Sequence, residues 1–370
     1  MRARRTVSLL AATTLLAGVA GCAVPLDERP VRAALDTALD RRVFASEEAL
    51  ATLVDPQLPG CSAAVGVQGE VAWAGAAGLA DLTDDTPVTV DTRFDMASVA
   101  KQFTATVVLQ LQREGGLSLS DTVAQHVPGM PAWAQSTTLE QLLHHTSHIR
   151  DYYQSIQFQW GLGFGDHVSH ADMLRAIAAL PTLEPGTGYL YSNSNYVLLA
   201  EVIQRVTGQS YPEALDERIF APLGLEMVAS PNLKADDIAI SYTDQLVRQD
   251  SGWSGYGAVG IFSTPSQLAI WGDQYRVGDL VGDDAYAGAV DEGDGGIVYG
   301  AGIDIHPDGS IGHLGRFGGH ITAFRVSPDK NTTVVVMCNG HASDRSGVFA
   351  ALWEAWVAPA EPAEEGSAVD

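Results

Sequence analysis

Two sets of strand-like segments stand far apart in this chain, and that separation constrains the fold more than any other feature. Ser62 to Leu79 is rich in Val, Ala and Gly with a turn near Gly69-Glu70, which predicts a β-hairpin. The remaining strand-like runs are Tyr299–Ile305, Gly319–Val326 and Thr332–Cys338. Between the two sets, apolar residues recur three and four apart, as on helices. Such stretches cover Ser98 to Glu114 (closed by Gly115-Gly116), Leu139 to His145, Ala171 to Leu180, Ser194 to Thr207, Tyr211 to Phe220 and Ser266 to Tyr275. Residues 277–297 are dense in Gly and Asp and read as a loop. Helical patterns also open and close the domain, at Val31 to Val54 and Ser343 to Val357. Strands at both ends with helices between imply an α+β fold, one sheet assembled from both termini with helices around it. Residues 31–105 and 290–358 form its α/β region, residues 106–289 a mainly helical lobe, and the crevice between them suits a site.

The start of the chain reads as an address. Arg2, Arg4 and Arg5 precede an apolar run, Val7 to Ala20, which is short for a membrane span and fits a signal-peptide core. It ends in Val19-Ala20-Gly21-Cys22, which resembles the lipobox of bacterial lipoproteins. That resemblance implies removal of residues 1–21, lipidation of Cys22 and anchoring to the outer face of a bacterial membrane. A secreted protein with a chance cysteine is the alternative. Residues 22–30 then form a tether, residues 31–358 the domain, and 359–370 a disordered acidic tail. The chain carries 21 basic and 45 acidic residues, a formal charge of -24. So negative a surface repels phosphate backbones and argues against nucleic acid as a partner. Outside the cytosol Cys61 and Cys338 are permitted to pair, and two buried free thiols are the other reading.

Three short elements carry the chemistry. Ser98-Val99-Ala100-Lys101 opens a helical pattern, so the lysine lies on the same face as the serine and within its reach. The positive end of the helix dipole favours a developing alkoxide there. Ser327-Pro328-Asp329-Lys330 has the same spacing but sits in a turn between strands, where no helix orients the pair. Tyr191-Ser192-Asn193 precedes another helix. A tyrosine near a lysine can have its phenol pKa lowered and act as a base, while the asparagine orients the lysine; a polar helix cap is the plainer reading. His313-Leu314-Gly315 falls between two strand-like runs, where backbone N–H groups at a strand edge can line an oxyanion hole and Gly315 permits close approach.

In this order and at these distances, Ser-x-x-Lys, Tyr-x-Asn and His-x-Gly resemble the serine β-lactamase and penicillin-binding-protein superfamily. The flanks agree. Phe94 to Thr104 is similar to the family's nucleophile helix, and Leu142-Leu143-His144-His145-Thr146-Ser147 to its second landmark. Pro185-Gly186-Thr187 and Gly260-Ile261-Phe262-Ser263-Thr264-Pro265 resemble two more. The branch most alike contains class C β-lactamases, D-alanyl-D-alanine carboxypeptidases and esterases. The resemblance implies an antiparallel sheet and acyl transfer in two steps without a cofactor or metal. Ser98 is then the nucleophile, Lys101 and Tyr191 take its proton, Asn193 orients, and His313 sits near Tyr191 as a shuttle. The N–H groups of Ser98 and Arg316, beside Gly315, form the oxyanion hole. The substrate is a small molecule or peptidoglycan peptide: a D-Ala-D-Ala peptide, a β-lactam or a small ester. First and last strands side by side would also let Cys61 and Cys338 face each other.

Two departures stand out. His313 occupies a place where many relatives carry Lys, and histidine is mostly neutral at pH 7, so Arg316 is the alternative cation for a substrate carboxylate. His148 replaces the Gly that usually follows Thr-Ser in the second landmark. Other readings find less support. His144, His145, His148 and Asp151, with His167 and His170, suggest metal ligands, yet no metallohydrolase spacing occurs. The Gly-x-Ser-x-Gly elbow of another hydrolase class is missing. A non-catalytic penicillin- or wall-binding lipoprotein would have been free to lose Ser98, Lys101 and Tyr191.

Overall fold

A computed structural model describes residues 28–180, 188–231, 233–278, 280–340 and 343–357. Residues 1–21, Cys22, most of the tether, Pro185-Gly186-Thr187 and residues 359–370 lie outside the described residues. The chain divides into two units at Arg41/Arg42. Helix α1 (Glu28–Leu53) begins within the segment read as tether, with Pro30 in its first turn, where no intrahelical N–H is needed. The unit from Arg42 onward holds the sheet and every candidate catalytic residue.

The sheet joins the two ends of this unit. Strands β1 (Cys61–Val67) and β2 (Glu70–Ala77) form the expected hairpin. The others are β3 (Val290–Asp291), β4 (Val298–Tyr299), β5 (Asp304–Ile305), β6 (Ile311–Phe317), β7 (His320–Val326) and β8 (Thr332–Cys338). They lie in the order β3-β4-β5-β6-β7-β8-β1-β2, and every pairing is antiparallel. Strand β1 pairs with β8 from Cys61↔Cys338 to Val67↔Thr332, and a disulfide joins Cys61 to Cys338.

Side chains alternate across this seam. Cys61, Ala63, Val65, Val334, Val336 and Cys338 pack in one cluster with Leu50 of α1 and with Leu352 and Trp356 of helix α7 (Arg345–Trp356). Ala64, Val335 and Met337 enter the main core on the other face, where helix α6 (Pro265–Trp271) contributes Leu268 and Trp271. Both faces are covered, so these strands read as unbroken apolar runs. Burying one valine contributes about 1.5–3 kcal/mol. The helical lobe lies between α2 (Lys101–Arg113) and α6, and contains α3 (Leu139–Leu143), α4 (His170–Ala179) and α5 (Asn193–Thr207).

Three expectations need correction. The segment 277–297 is not all loop, because Val290–Asp291 extends the sheet against β4. The run Tyr299–Ile305 is two short strands broken by a turn. Gly302 holds a φ of +74° there, and a Cβ on it would lie 2.8 Å from the Lys101 backbone, so the turn packs flush on the start of α2. His313-Leu314-Gly315 is not a connection but the middle of β6; its two glycines and two polar residues obscure the alternation. Beyond Gly312 no strand lies beside the outer edge of β6 among the described residues, since β5 pairs only with Ile311 and Gly312.

The disulfide closes a loop spanning 277 residues. A cross-link over so long a loop is worth roughly 5 kcal/mol in the chain-entropy account. A chain carrying Cys22→Ala, exported and then denatured without reductant, is expected to take up no alkylating agent by mass. Two alkylated thiols would contradict the pairing.

Candidate active site

Ser98 sits on a 3-10 turn, Ala97–Ala100, that runs directly into α2. The chain enters this turn through Ala97 at φ +52°, a left-handed conformation that costs an alanine on the order of 1 kcal/mol. Asp95 holds it there. The carboxylate Oδ1 accepts from the Ala97 N–H at 2.8 Å and from the Gly260 N–H at 3.3 Å. Phe94-Asp95 also pairs with the strand Ile261–Ser263, and the Met96 N–H donates to the Ile261 carbonyl at 2.9 Å. On the opposite side β6 presses against the turn. A Cβ on Gly315 would lie 2.4 Å from the Met96 carbonyl oxygen and 3.0 Å from the Ala97 Cβ, so only glycine allows this approach.

Lys101 is fully buried. Its Nζ donates to Ser98 Oγ at 3.0 Å, Asn193 Oδ1 at 2.8 Å and the Ala258 carbonyl at 3.2 Å. The nitrogen also lies 4.9 Å from the centre of the Tyr191 ring and 5.7 Å from that of Tyr196. Burial brings its pKa down to about 7, against the opposing charges of Asp151 and Asp304. Asn193 is the first residue of α5, and its orientation is fixed: both its backbone N–H and its Nδ2 donate to Asp151 Oδ2 at 2.8 Å. Asp151, read from sequence as a candidate metal ligand, instead turns the asparagine oxygen toward the lysine.

Tyr191 hydrogen-bonds to the Ser98 side chain, and burial pushes its phenol well above the ordinary value. The sequence expectation of a lowered tyrosine pKa is therefore reversed. Desolvation penalises a phenolate here more than the hydrogen bond to Ser98 favours it.

His313 shares a face of β6 with Gly315 and is buried, with its ring centre 6.4 Å from that of Tyr191. Its Nε2 bonds the Tyr299 hydroxyl at 3.3 Å rather than Tyr191, and its Nδ1 donates to the Leu314 carbonyl at 2.6 Å. Burial and the Lys101 charge hold its pKa down to about 3, so it brings no positive charge to the cleft. Arg316, on the exposed face of β6, lines a cleft of about 540 Å³ together with Ser98, Tyr191, Asn193, Gly315 and Arg345. Arg345 lies near enough to Arg316 for the two charges to interact, and its side chain donates to the Thr322 carbonyl at 3.3 Å.

The histidines of the second landmark point apart. The His145 ring packs among Tyr191, Tyr196 and Tyr299 at 4.4, 5.2 and 4.8 Å, with Nδ1 accepting from Asn195 Nδ2 at 2.9 Å. His148 has a left-handed backbone, φ +56°, and its Nε2 meets the Gly188 carbonyl at 3.0 Å. Among the described residues no group of three or more His, Cys, Asp or Glu is arranged to hold a metal ion.

The structure thus gathers Ser98, Lys101, Tyr191, Asn193, Gly315 and Arg316 at one cleft and places His313 just behind it. Cys61 and Cys338 belong to the sheet seam. Sequence reading missed Asp95, Asp151 as an anchor, Tyr299, and the pair Asp304 and Glu292, which hydrogen-bond to each other near Lys101 with burial raising both. Only Asp95 had a local signal, an acid just ahead of the nucleophile helix.

Known proteins resemble this chain along most of its length. It is 29% identical over 328 residues to a D-aminopeptidase of Cereibacter sphaeroides, covering 80% of this chain and 59% of that one. Penicillin-binding protein 4* of Bacillus subtilis is 33% identical over 165 residues, 42% of this chain and 35% of the relative. Esterase EstB of Burkholderia gladioli is 31% identical over 235 residues, 60% and 57% of the two chains. The chain therefore spans between about a third and three fifths of these relatives' length. Among solved structures, a D-stereospecific amidohydrolase from Streptomyces sp. matches at a TM-score of 0.70 and 26% identity, over 86% of this chain and 99% of that one. The D-amino acid amidase of Ochrobactrum anthropi SV3 shares the fold at a TM-score of 0.72 and 21% identity, over 87% and 98%. The family model described as Beta-lactamase matches residues 37–355, and this chain belongs to that family.

Proposed function

We propose that the chain is a serine hydrolase that forms an acyl-enzyme on Ser98 and acts on an amide or ester. The observation that carries this reading is the Lys101 amine, fully buried, 3.0 Å from Ser98 Oγ, with a pKa brought down to about 7. As an ammonium it has three donors for three acceptors. Deprotonated, it accepts from the serine instead, and the bond to Ser98 reverses. Lys101 then takes the Oγ proton as Oγ attacks the carbonyl carbon. The backbone N–H groups of Ser98 and Arg316 receive the oxyanion. Tyr191, kept protonated by burial and hydrogen-bonded to Ser98, passes a proton to the leaving group and is resupplied by Lys101. Water repeats the sequence in reverse to free the acid. Asn193 holds the lysine, and His313 stays neutral and supports Tyr299 rather than shuttling.

For the substrate, Arg316 and Arg345 support a compound bearing a carboxylate near the scissile bond, such as a peptide ending in D-alanine. The D-stereospecific names among the relatives favour a D-configured residue at the scissile bond. The small ester remains the second reading, favoured by the likeness to EstB. We further propose export and a lipid anchor at Cys22, on the lipobox alone. Among the described residues no helix is long and apolar enough to cross a membrane.

Because the neutral amine is the active form, activity falls as pH drops below the lysine pKa. The kcat/KM for an activated ester, with Ser98→Ala as the baseline, is expected to rise with pH through about 7 and level above it. A flat profile between about pH 5 and pH 9 would remove Lys101 from the role of base. Arg316→Ala is expected to raise KM on the order of tenfold for a peptide with a free terminal carboxylate, and to leave its carboxamide unaffected. Equal effects on both substrates would place the carboxylate elsewhere.

A further inference from the structure

A second cavity, of about 330 Å³, lies behind the turn that carries Ser98. Phe164, Phe262, Phe317, Ile238 and Ile240 give it apolar walls. Three polar side chains buried in the protein line it, Asp95 at 2% exposure, Ser241 at 5% and His320 at 8%, and Ser241 Oγ is already paired, donating to the Gln249 carbonyl and accepting from the Gly319 N–H. The two backbone bonds that Asp95 accepts, from Ala97 of the nucleophile turn and from Gly260, both use Oδ1, and Oδ2 takes part in neither. The His320 ring stands edge-on to Phe94 and Phe262, at 6.2 and 6.3 Å; its Nδ1 is shielded and unpaired, and its Nε2, which makes no hydrogen bond among the described residues either, is the nitrogen left with accessible surface. Buried polar atoms in native proteins are nearly always paired. A carboxylate oxygen and an imidazole nitrogen left over in one aromatic-walled space are the contacts that a ligand's polar group would use.

The charges select the sign of that group. Asp95 is the ionisable acid inside, and burial raises its carboxyl only to about 6, so it is mostly charged at pH 7.5. Burial lowers the His320 imidazole to about 4 and keeps it neutral. At the rim, Arg248 is matched by Asp250 at 3.0 Å and by Asp81 at 3.9 Å, and Lys234 and Asp236, both exposed, contribute one charge of each sign. The geometry points to a binding site, separate from the cleft at Ser98, for a compact arylalkylamine: its ring lies among Phe164, Phe262 and Phe317, its ammonium donates to Asp95 Oδ2, and a second N–H donates to His320 Nε2. Since Asp95 also holds Ala97, the occupant would sit directly against the support of the nucleophile turn.

The probe is benzylamine, titrated by calorimetry at pH 7.5 into the full chain carrying Ser98→Ala, beside benzoate as a ring of opposite charge. The readout needs no turnover, so its result is independent of the proposed hydrolase activity. A single saturable site for benzylamine and none for benzoate is expected. Ala235→Trp, which puts an indole at the exposed edge of the cavity, is expected to abolish binding. His320→Phe keeps the ring and removes its nitrogens, and is expected to weaken binding roughly tenfold. Both variants are checked for an unchanged unfolding midpoint, and either one that folds suffices. No saturable heat with benzylamine, equal binding of benzoate, or undiminished binding in a folded variant would overturn the site.

Discussion

A lysine amine taken wholly out of water is the constraint around which this active site is arranged. Burial disfavours the ammonium strongly, and without compensation the group would stay neutral even at a pH far below its present pKa or turn out to solvent. Three acceptors and two aromatic faces restore part of the lost hydration. Asp151 and Asp304 add negative charge at longer range. The sum leaves Lys101 near neutrality, the condition under which it can exchange a proton with Ser98. Each supporting group follows from this need: Asp151 orients Asn193, the Ala258 carbonyl caps the third donor, and Tyr191 and Tyr196 close the slot.

The nucleophile turn is held by equally few parts. Asp95 pins the left-handed Ala97 from below, and Gly315 lets β6 press on it from above. The sheet supplies the rigid side of that clamp. Its strands come from opposite ends of the chain, and the β1–β8 seam with its disulfide sets where β6 and β7 lie. Contacts of such large sequence separation carry a high loop-closure cost, which packing on both faces of the seam offsets here.

Much of this was legible in the sequence, for identifiable reasons. The strands at 61–67 and 332–338 stand out as apolar runs, the helices at 101–113 and 193–207 carry strong periodicity, and Ser98, Lys101 and Tyr191 stand in spacings that few contexts share. Strand β6 was hidden because Gly312, His313, Gly315 and Arg316 interrupt any alternation, although two of those residues are there for the site. The direction of the Tyr191 shift was misjudged because sequence shows a neighbour's charge but not the depth of burial. Asp151 was grouped with histidines close in sequence, while its partner, Asn193, lies 42 residues away. Pairings of that kind are set by tertiary packing and leave no local pattern.

The most direct measurement is the intact mass of the Cys22→Ala chain after brief exposure to a fluorophosphonate, and separately to a penicillin, with Ser98→Ala alongside. One stoichiometric phosphonyl adduct, mapped to Ser98 and missing from the variant, is the predicted result. A penicilloyl adduct at the same residue would add that the cleft accepts an acyl-D-alanine mimic. An unmodified wild-type chain, or an adduct that survives Ser98→Ala, would contradict the assignment of Ser98 as the nucleophile activated by Lys101.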